Sequence, residues 1–155
     1  MTDLWPKKIG KVRKKSPVAV LREQASLLGR RTKNLVQAEV RGRQTEKGLF
    51  KYYFYIVAPT LGHYRYELFS ITHDITLYPL SVEVEPEILE DIPSEFVSKN
   101  HTVCAESEDE FMERLKLIFG SKKTERVVSA LLSQTEPLWN ADMDDGSEPE
   151  DMGMD

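Results

Sequence analysis

Three histidines, His63, His73 and His101, one cysteine, Cys104, and a run of carboxylates between Glu83 and Asp91 are the side chains best suited to chemistry. His73 and Asp74 are adjacent, and an imidazole beside a carboxylate can act as a general base. In a hairpin turn, however, a histidine is ordinarily a solvated loop residue. His101 and Cys104 have the x-x spacing of half a metal site. A structural zinc takes four ligands and the sequence offers no second pair, so no metal and no other cofactor is expected. Cys104 lies between Val103 and Ala105 and reads as a small buried strand residue rather than a nucleophile. Glu83, Glu85, Glu87, Glu90 and Asp91 lack the ligand order of a calcium loop and read as a solvated acidic edge. The sequence contains no Gly-rich phosphate loop and no nucleophile elbow. No catalytic residue is named, and an enzyme is the least favoured reading.

The elements that position these residues are organised around Lys51 to Thr72. Leu49 to Ala58 is aromatic and β-branched, which suits a pleated surface. Alternation places Phe50, Tyr52, Phe54 and Ile56 on one face and Tyr53, Tyr55 and Val57 on the other. Both faces are apolar, which predicts a central strand partly covered on both sides. Pro59 to His63 breaks the run, and Tyr64 to Thr72 resumes it. The five-residue interruption predicts an antiparallel hairpin. Strict alternation there puts Tyr64, Tyr66 and Leu68 on one face and Arg65, Glu67, Phe69 and Ile71 on the other.

Upstream, Ser16-Pro17 reads as a helix start, with Val18, Leu21, Ala25 and Leu28 as its apolar stripe over roughly 17–28. Gly29 fits the position just past the helix end, and Arg30 and Arg31 complement its dipole. Asn34 to Arg43 predicts a strand with one wet face. Downstream, Ile75 to Val84 predicts a fourth strand, at an edge or bulged because Pro79 cannot donate to a ladder. Glu85 to Lys99 predicts one or two short helical turns, since Pro86 and Pro93 forbid a long helix. Thr102 to Ala105 predicts a fifth strand. Ser107 with Glu110 forms a capping box that opens a helix ending at Gly120, and Ser121 or Thr124 opens another. The fold class is therefore α+β: an N-terminal helix, an antiparallel meander of four to five strands, and two C-terminal helices packed on the sheet. The expected organisation is a basic flexible arm over 1–15, one domain over 16–137 and an acidic disordered tail over 138–155.

One cysteine rules out an internal disulfide and suggests a reducing compartment. The first residues lack the apolar region of a secretory signal, and no apolar run approaches the ~20 residues that cross a bilayer. A soluble, cytoplasmic protein without membrane contact is expected. The net charge of −5 conceals a polarity. Residues 1–51 hold 14 Lys and Arg against four acids, and the remainder holds seven against 22. Such a split suggests contact with nucleic acid or pairing between the two ends.

Two partner classes follow. The favoured reading is a small non-catalytic binding or regulatory protein acting through a protein partner, such as an adaptor, inhibitor or antitoxin-like neutraliser. It draws on the missing chemistry, the acidic 83–91 edge and the apolar spots at Trp5 and Trp139. The alternative is a nucleic-acid-binding protein. Its phosphate contacts would come from Lys7, Lys8, Lys11, Arg13, Lys14, Lys15, Arg30, Arg31, Arg41 and Arg43. Tyr53 and Tyr55, or Tyr52, Tyr64 and Tyr66, would offer bases a stacking platform. Against the platform stands the ordinary role of such rings as core, since three helices are available to cover the sheet.

Overall fold

Ser16 opens the first helix of the computed structural model, which describes residues 1–10, 15–45 and 47–143, with side chains only to residue 135 in the last helix. Its hydroxyl accepts from the Ala19 amide and Pro17 takes the first helical position, so α1 spans Pro17–Arg31. Val20 and Leu21 are wholly buried. Gly29 is not beyond the helix, as expected, but inside its last turn. A Cβ there would lie 3.1 Å from Asn34 Oδ1, so the missing side chain lets the following loop fold back closely. Thr32 caps the end, its hydroxyl donating to the Leu28 carbonyl at 3.1 Å and accepting from the Val36 amide at 3.1 Å.

Five strands follow: β1 (Gln37–Gln44), β2 (Phe50–Ala58), β3 (Tyr64–His73), β4 (Leu80–Val84) and β5 (Val103–Ala105). They lie in sequence order, each antiparallel to its neighbour. The expected meander is therefore present, with two revisions. The first is a bulge. Phe54 pairs with Phe69 but Tyr55 pairs with Glu67, leaving Leu68 as an extra residue on β3. Leu68 and Phe69, assigned by alternation to opposite faces, are both about 1% exposed in the core. The second concerns β4, which begins at Leu80 rather than Ile75. Pro79 lies just outside it, so β4 is a regular internal strand between β3 and β5 rather than an edge. Ile75 is exposed in the connecting turn.

Short turns come next, α2 (Pro86–Leu89) and a 3₁₀ turn at Ser94–Phe96. In α3 (Glu108–Phe119) Ser107 Oγ accepts from the Glu110 amide at 3.2 Å, and Glu110 Oε1 accepts from the Glu106 amide at 2.9 Å. Gly120 ends this helix, and α4 runs from Lys122 through Pro137 to Met143. Residues 144–155, the greater part of the acidic segment, lie outside the described residues, as do the side chains of Leu138 and Trp139.

The core lies between the helices and one sheet face. Phe54 and Phe69 stack at 5.0 Å and 7°, and Phe119 of α3 tilts onto both at 5.5 and 6.0 Å. Leu21, Phe111, Leu115, Ile118 and Leu131 complete the layer. The opposite face carries Tyr53, Tyr55, Glu39, Arg41, Arg65 and Glu83, all half-buried or exposed. The expected partial cover of β2 on both sides is seen there too, since Tyr53 and Tyr55 are half-buried and Val57 is buried among largely polar neighbours.

Gly42 sits opposite Tyr52, and a Cβ there would come within 2.4 Å of the Tyr52 ring. That ring also stacks on His73 at 5.8 Å, which limits its escape. Gly42→Ala should therefore destabilise the fold by about 1–3 kcal/mol in urea unfolding. A variant as stable as the parent would show that the ring moves freely.

Candidate functional site

The histidines do not converge. His63 and His101 are exposed in loops with φ of 57° and 63°. His73 is buried at the end of β3, between Phe50 and Tyr52. Its Nδ1 lies 2.7 Å from the Asp74 carbonyl. A carbonyl only accepts, so Nδ1 carries a proton in this bond, and Nε2 is buried with no hydrogen-bond partner among the described residues. The Asp74 carboxylate turns away and accepts from the Thr76 amide at 2.8 Å and the Thr76 hydroxyl at 2.5 Å. Those bonds hold its pKa below the usual carboxylate range. The His73–Asp74 base considered from sequence is thus not assembled. Cys104 is exposed on the open sheet face, contrary to the buried position expected of it. No group of three or more His, Cys, Asp or Glu among the described residues could hold a metal ion.

The acidic edge is exposed at Glu83, Glu87 and Glu90, as expected of a solvated edge, and four of its five acids also have partners within the fold. Glu83 accepts from Lys51 at 3.2 Å and from Ser70 at 3.1 Å. Glu85 accepts from the Tyr66 hydroxyl, and burial together with that carboxylate drives the Tyr66 pKa upward. Glu87 pairs with Lys123 at 3.1 Å and Arg126 at 2.5 Å, and these cations lower its pKa. Asp91 accepts from the Lys122 amide at 2.7 Å, so it caps α4. Glu85, Glu87 and Asp91 fasten α4 to the segment after β4.

The basic candidates are dispersed. Lys7 and Lys8 are exposed beside Leu4, Trp5 and Ile9. Lys11, Arg13 and Lys14 lie outside the described residues. Lys15 pairs with Glu23 at 2.7 Å, which raises its pKa. Arg41, Tyr53 and Tyr55 share the open sheet face, and by strand alternation Arg43 joins them. The two tyrosine rings stack at 6.3 Å, with Lys51 5.4 Å from one centroid and Arg65 5.6 Å from the other. Arg65 and Arg41 lie 3.2 and 3.4 Å from Glu39 Oε1, in ion pairs without hydrogen-bond alignment. Lys51 is paired with Glu83. Arg41, Arg65 and Lys51 of this platform are already engaged with its acids and its rings. Tyr64 and Tyr66, by contrast, line a cleft against Val127 and Leu131 of α4.

Sequence reasoning missed a groove between α1 and α4. Its volume is about 710 Å³. Phe54, Ile56 and Phe119 line it, together with Leu27 and Leu28 of α1 and Val128 of α4. Arg31 and Glu125 lie on opposite walls. Leu27 gave a local signal, being apolar yet off the predicted stripe, and it is 41% exposed.

Arg114 was also missed. Its side chain is 8% exposed although α3 is otherwise amphipathic. Nε donates to the Cys104 carbonyl at 3.0 Å, Nη1 pairs with Glu113 at 2.7 Å and Nη2 with Glu110 at 3.4 Å. The guanidinium lies 3.6 Å from the Phe96 ring centroid. One planar group thereby joins α3, β5 and the 3₁₀ turn.

No helix among the described residues is long and apolar enough to cross a membrane. No protein-family model matches the chain, and no curated protein or solved structure resembles it closely enough to count as a match.

Two outcomes test this account. Arg114→Lys keeps the charge but loses the fork and the flat face, and should cost about 1–3 kcal/mol of unfolding free energy. Tyr78 has its pKa pushed up to about 12, by burial first and by Glu108 second. Its folded pKa exceeds the unfolded value of about 10, so its contribution is complete below pH ~10 and is lost as pH climbs toward the folded value. Unfolding curves across that window should show falling stability, and Tyr78→Phe should flatten the fall.

Proposed function

We propose that this chain is a small non-catalytic binding or regulatory protein that acts through a protein partner, and that the groove between α1 and α4 receives an amphipathic helix of that partner. The observation that carries the reading is the apolar lining of this groove: Leu27, Leu28, Phe119 and Val128 are partly exposed along it, above a floor of Phe54 and Ile56 that is itself only 1–2% exposed. Two helices flanking an apolar trough suit a third helix with anchors at i, i+3 or i+4, and i+7. Arg31 and Glu125 make no ion pair among the described residues. An acid and a base on opposite walls favour one polarity of a bound helix, because helix ends carry opposite partial charges. The nucleic-acid reading draws less support, since Tyr53 and Tyr55 are flanked by cations already paired with Glu39 and Glu83.

The test is a native pull-down of the full chain from its own cells, with nuclease, run beside the variant Leu27→Asp/Val128→Asp. Both positions are partly exposed, so the variant should fold, which circular dichroism checks. A stoichiometric protein that survives nuclease and is lost from the variant is expected. Loss of two central contacts should weaken binding at least about 30-fold. Equal recovery by both proteins would remove the groove, and bound material that vanishes with nuclease would overturn the protein-partner reading.

A further inference from the structure

A second groove lies on the other side of α1, between that helix and β1. It has a volume of about 510 Å³, and its lining includes Arg22, Ser26 and Arg30 of α1 with Asn34 and Gln37 below. Ala25, Gly29 and Ala38 are small and leave room along it. No acid lines it. Arg22 and Arg30 are exposed and make no ion pair among the described residues. Arg22, Ser26 and Arg30 are spaced i, i+4, i+8, so they form one stripe about 12 Å long. Beneath them runs the β1 edge of the sheet. Among the described residues β1 pairs only with β2, so no described strand adds to the other side of these eight residues. The other sheet edge, β5, is three residues long and is bridged from Val97.

This combination suits an extended acidic peptide. Its backbone can add to the β1 edge, and its carboxylates can reach the arginines above. In an extended chain, residues four apart on one face lie about 13 Å apart, which matches the arginine spacing. We infer that the occupant is the segment of this same chain that follows α4. Residues 144–155 hold Asp144, Asp145, Glu148, Glu150, Asp151 and Asp155 and no base. Two pairs, Asp144 with Glu148 and Asp151 with Asp155, have the required spacing. Twelve residues reach at most about 40 Å, more than the breadth of a small domain. Tethering holds the segment at an effective concentration in the millimolar range, so weak pairs suffice. The charge polarity of the chain then has a physical role: the acidic end closes the basic edge and shields an open strand from other chains. The proposal stands apart from the α1/α4 groove and does not depend on it.

The experiment uses the ¹⁵N-labelled full chain and two full-length variants. One neutralises the segment (D144N/D145N/E148Q/E150Q/D151N/D155N), and the other is R22E/R30E. At low salt, the Gln37–Gln44 amides and the Arg22 and Arg30 Nε signals should differ between the parent and the neutralised variant. R22E/R30E should reproduce the neutralised spectrum at β1. Exchange of the β1 amides should quicken about tenfold in both variants. High salt, which shortens the Debye length from about 10 Å to about 3 Å, should bring the parent spectrum to the variant's. Identical β1 shifts and exchange in the parent and the neutralised variant would overturn the inference. A difference that disappears on dilution would also overturn it, by placing the segment of a second copy in the groove.

Discussion

The fold depends on one alignment of rings. Phe54 and Phe69 face each other across β2 and β3, and Phe119 closes over both from the end of α3. Phe54 pairs with Phe69 only because Leu68 is bulged out of the ladder. Without that extra residue, alternation would turn either Leu68 or Phe69 to the wet face, at a cost near that of exposing a large apolar side chain, about 1.5–3 kcal/mol. With it, both pack inward. The position of Phe119 follows, and with it the start of α4, because only Gly120 and Ser121 separate the two helices. Both walls of the apolar groove therefore trace back to one local irregularity in the hairpin.

What the sequence disclosed was what local physics decides. Ser16-Pro17, the Ser107 cap and Gly120 were legible because a cap is set by a few adjacent residues. The strands were legible because their side chains leave little other choice. The bulge was not, since it is a property of two strands read together. Cys104 was misplaced although the signal was present: Val103 and Ala105 point inward, so the residue between them must point outward. Pro79 was read correctly as incompatible with a ladder, but the strand accommodates it by starting at Leu80, just after the proline, rather than at Ile75.

The candidate surfaces were less legible than the fold because they are set by which neighbours a charge meets. The 83–91 acids looked like a free edge, yet Lys51, Lys122, Lys123, Arg126 and the Tyr66 hydroxyl occupy four of them. Nothing in the sequence singles out Arg114 on α3. Its burial becomes intelligible only when Phe96, Cys104 and the two glutamates are placed around it, since a buried charge is tolerated when its donors are satisfied.

Helix α1 shows how much a one-residue step can separate. Arg30 and Arg31 read as a single basic cluster at a helix end. Successive helical residues are rotated by about 100°, so neighbours in sequence address different surroundings. Arg31 stands on the apolar groove beside Leu27 and Leu28, while Arg30 stands on the polar groove over the β1 edge. The packing of Val20 and Leu21 fixes the rotation of α1 against the sheet, and that rotation decides which arginine goes to which side. Two surfaces of opposite character are thus set by one buried stripe: a trough lined by aromatic rings on one flank, and on the other the sheet edge at β1 beneath two arginines that make no ion pair among the described residues.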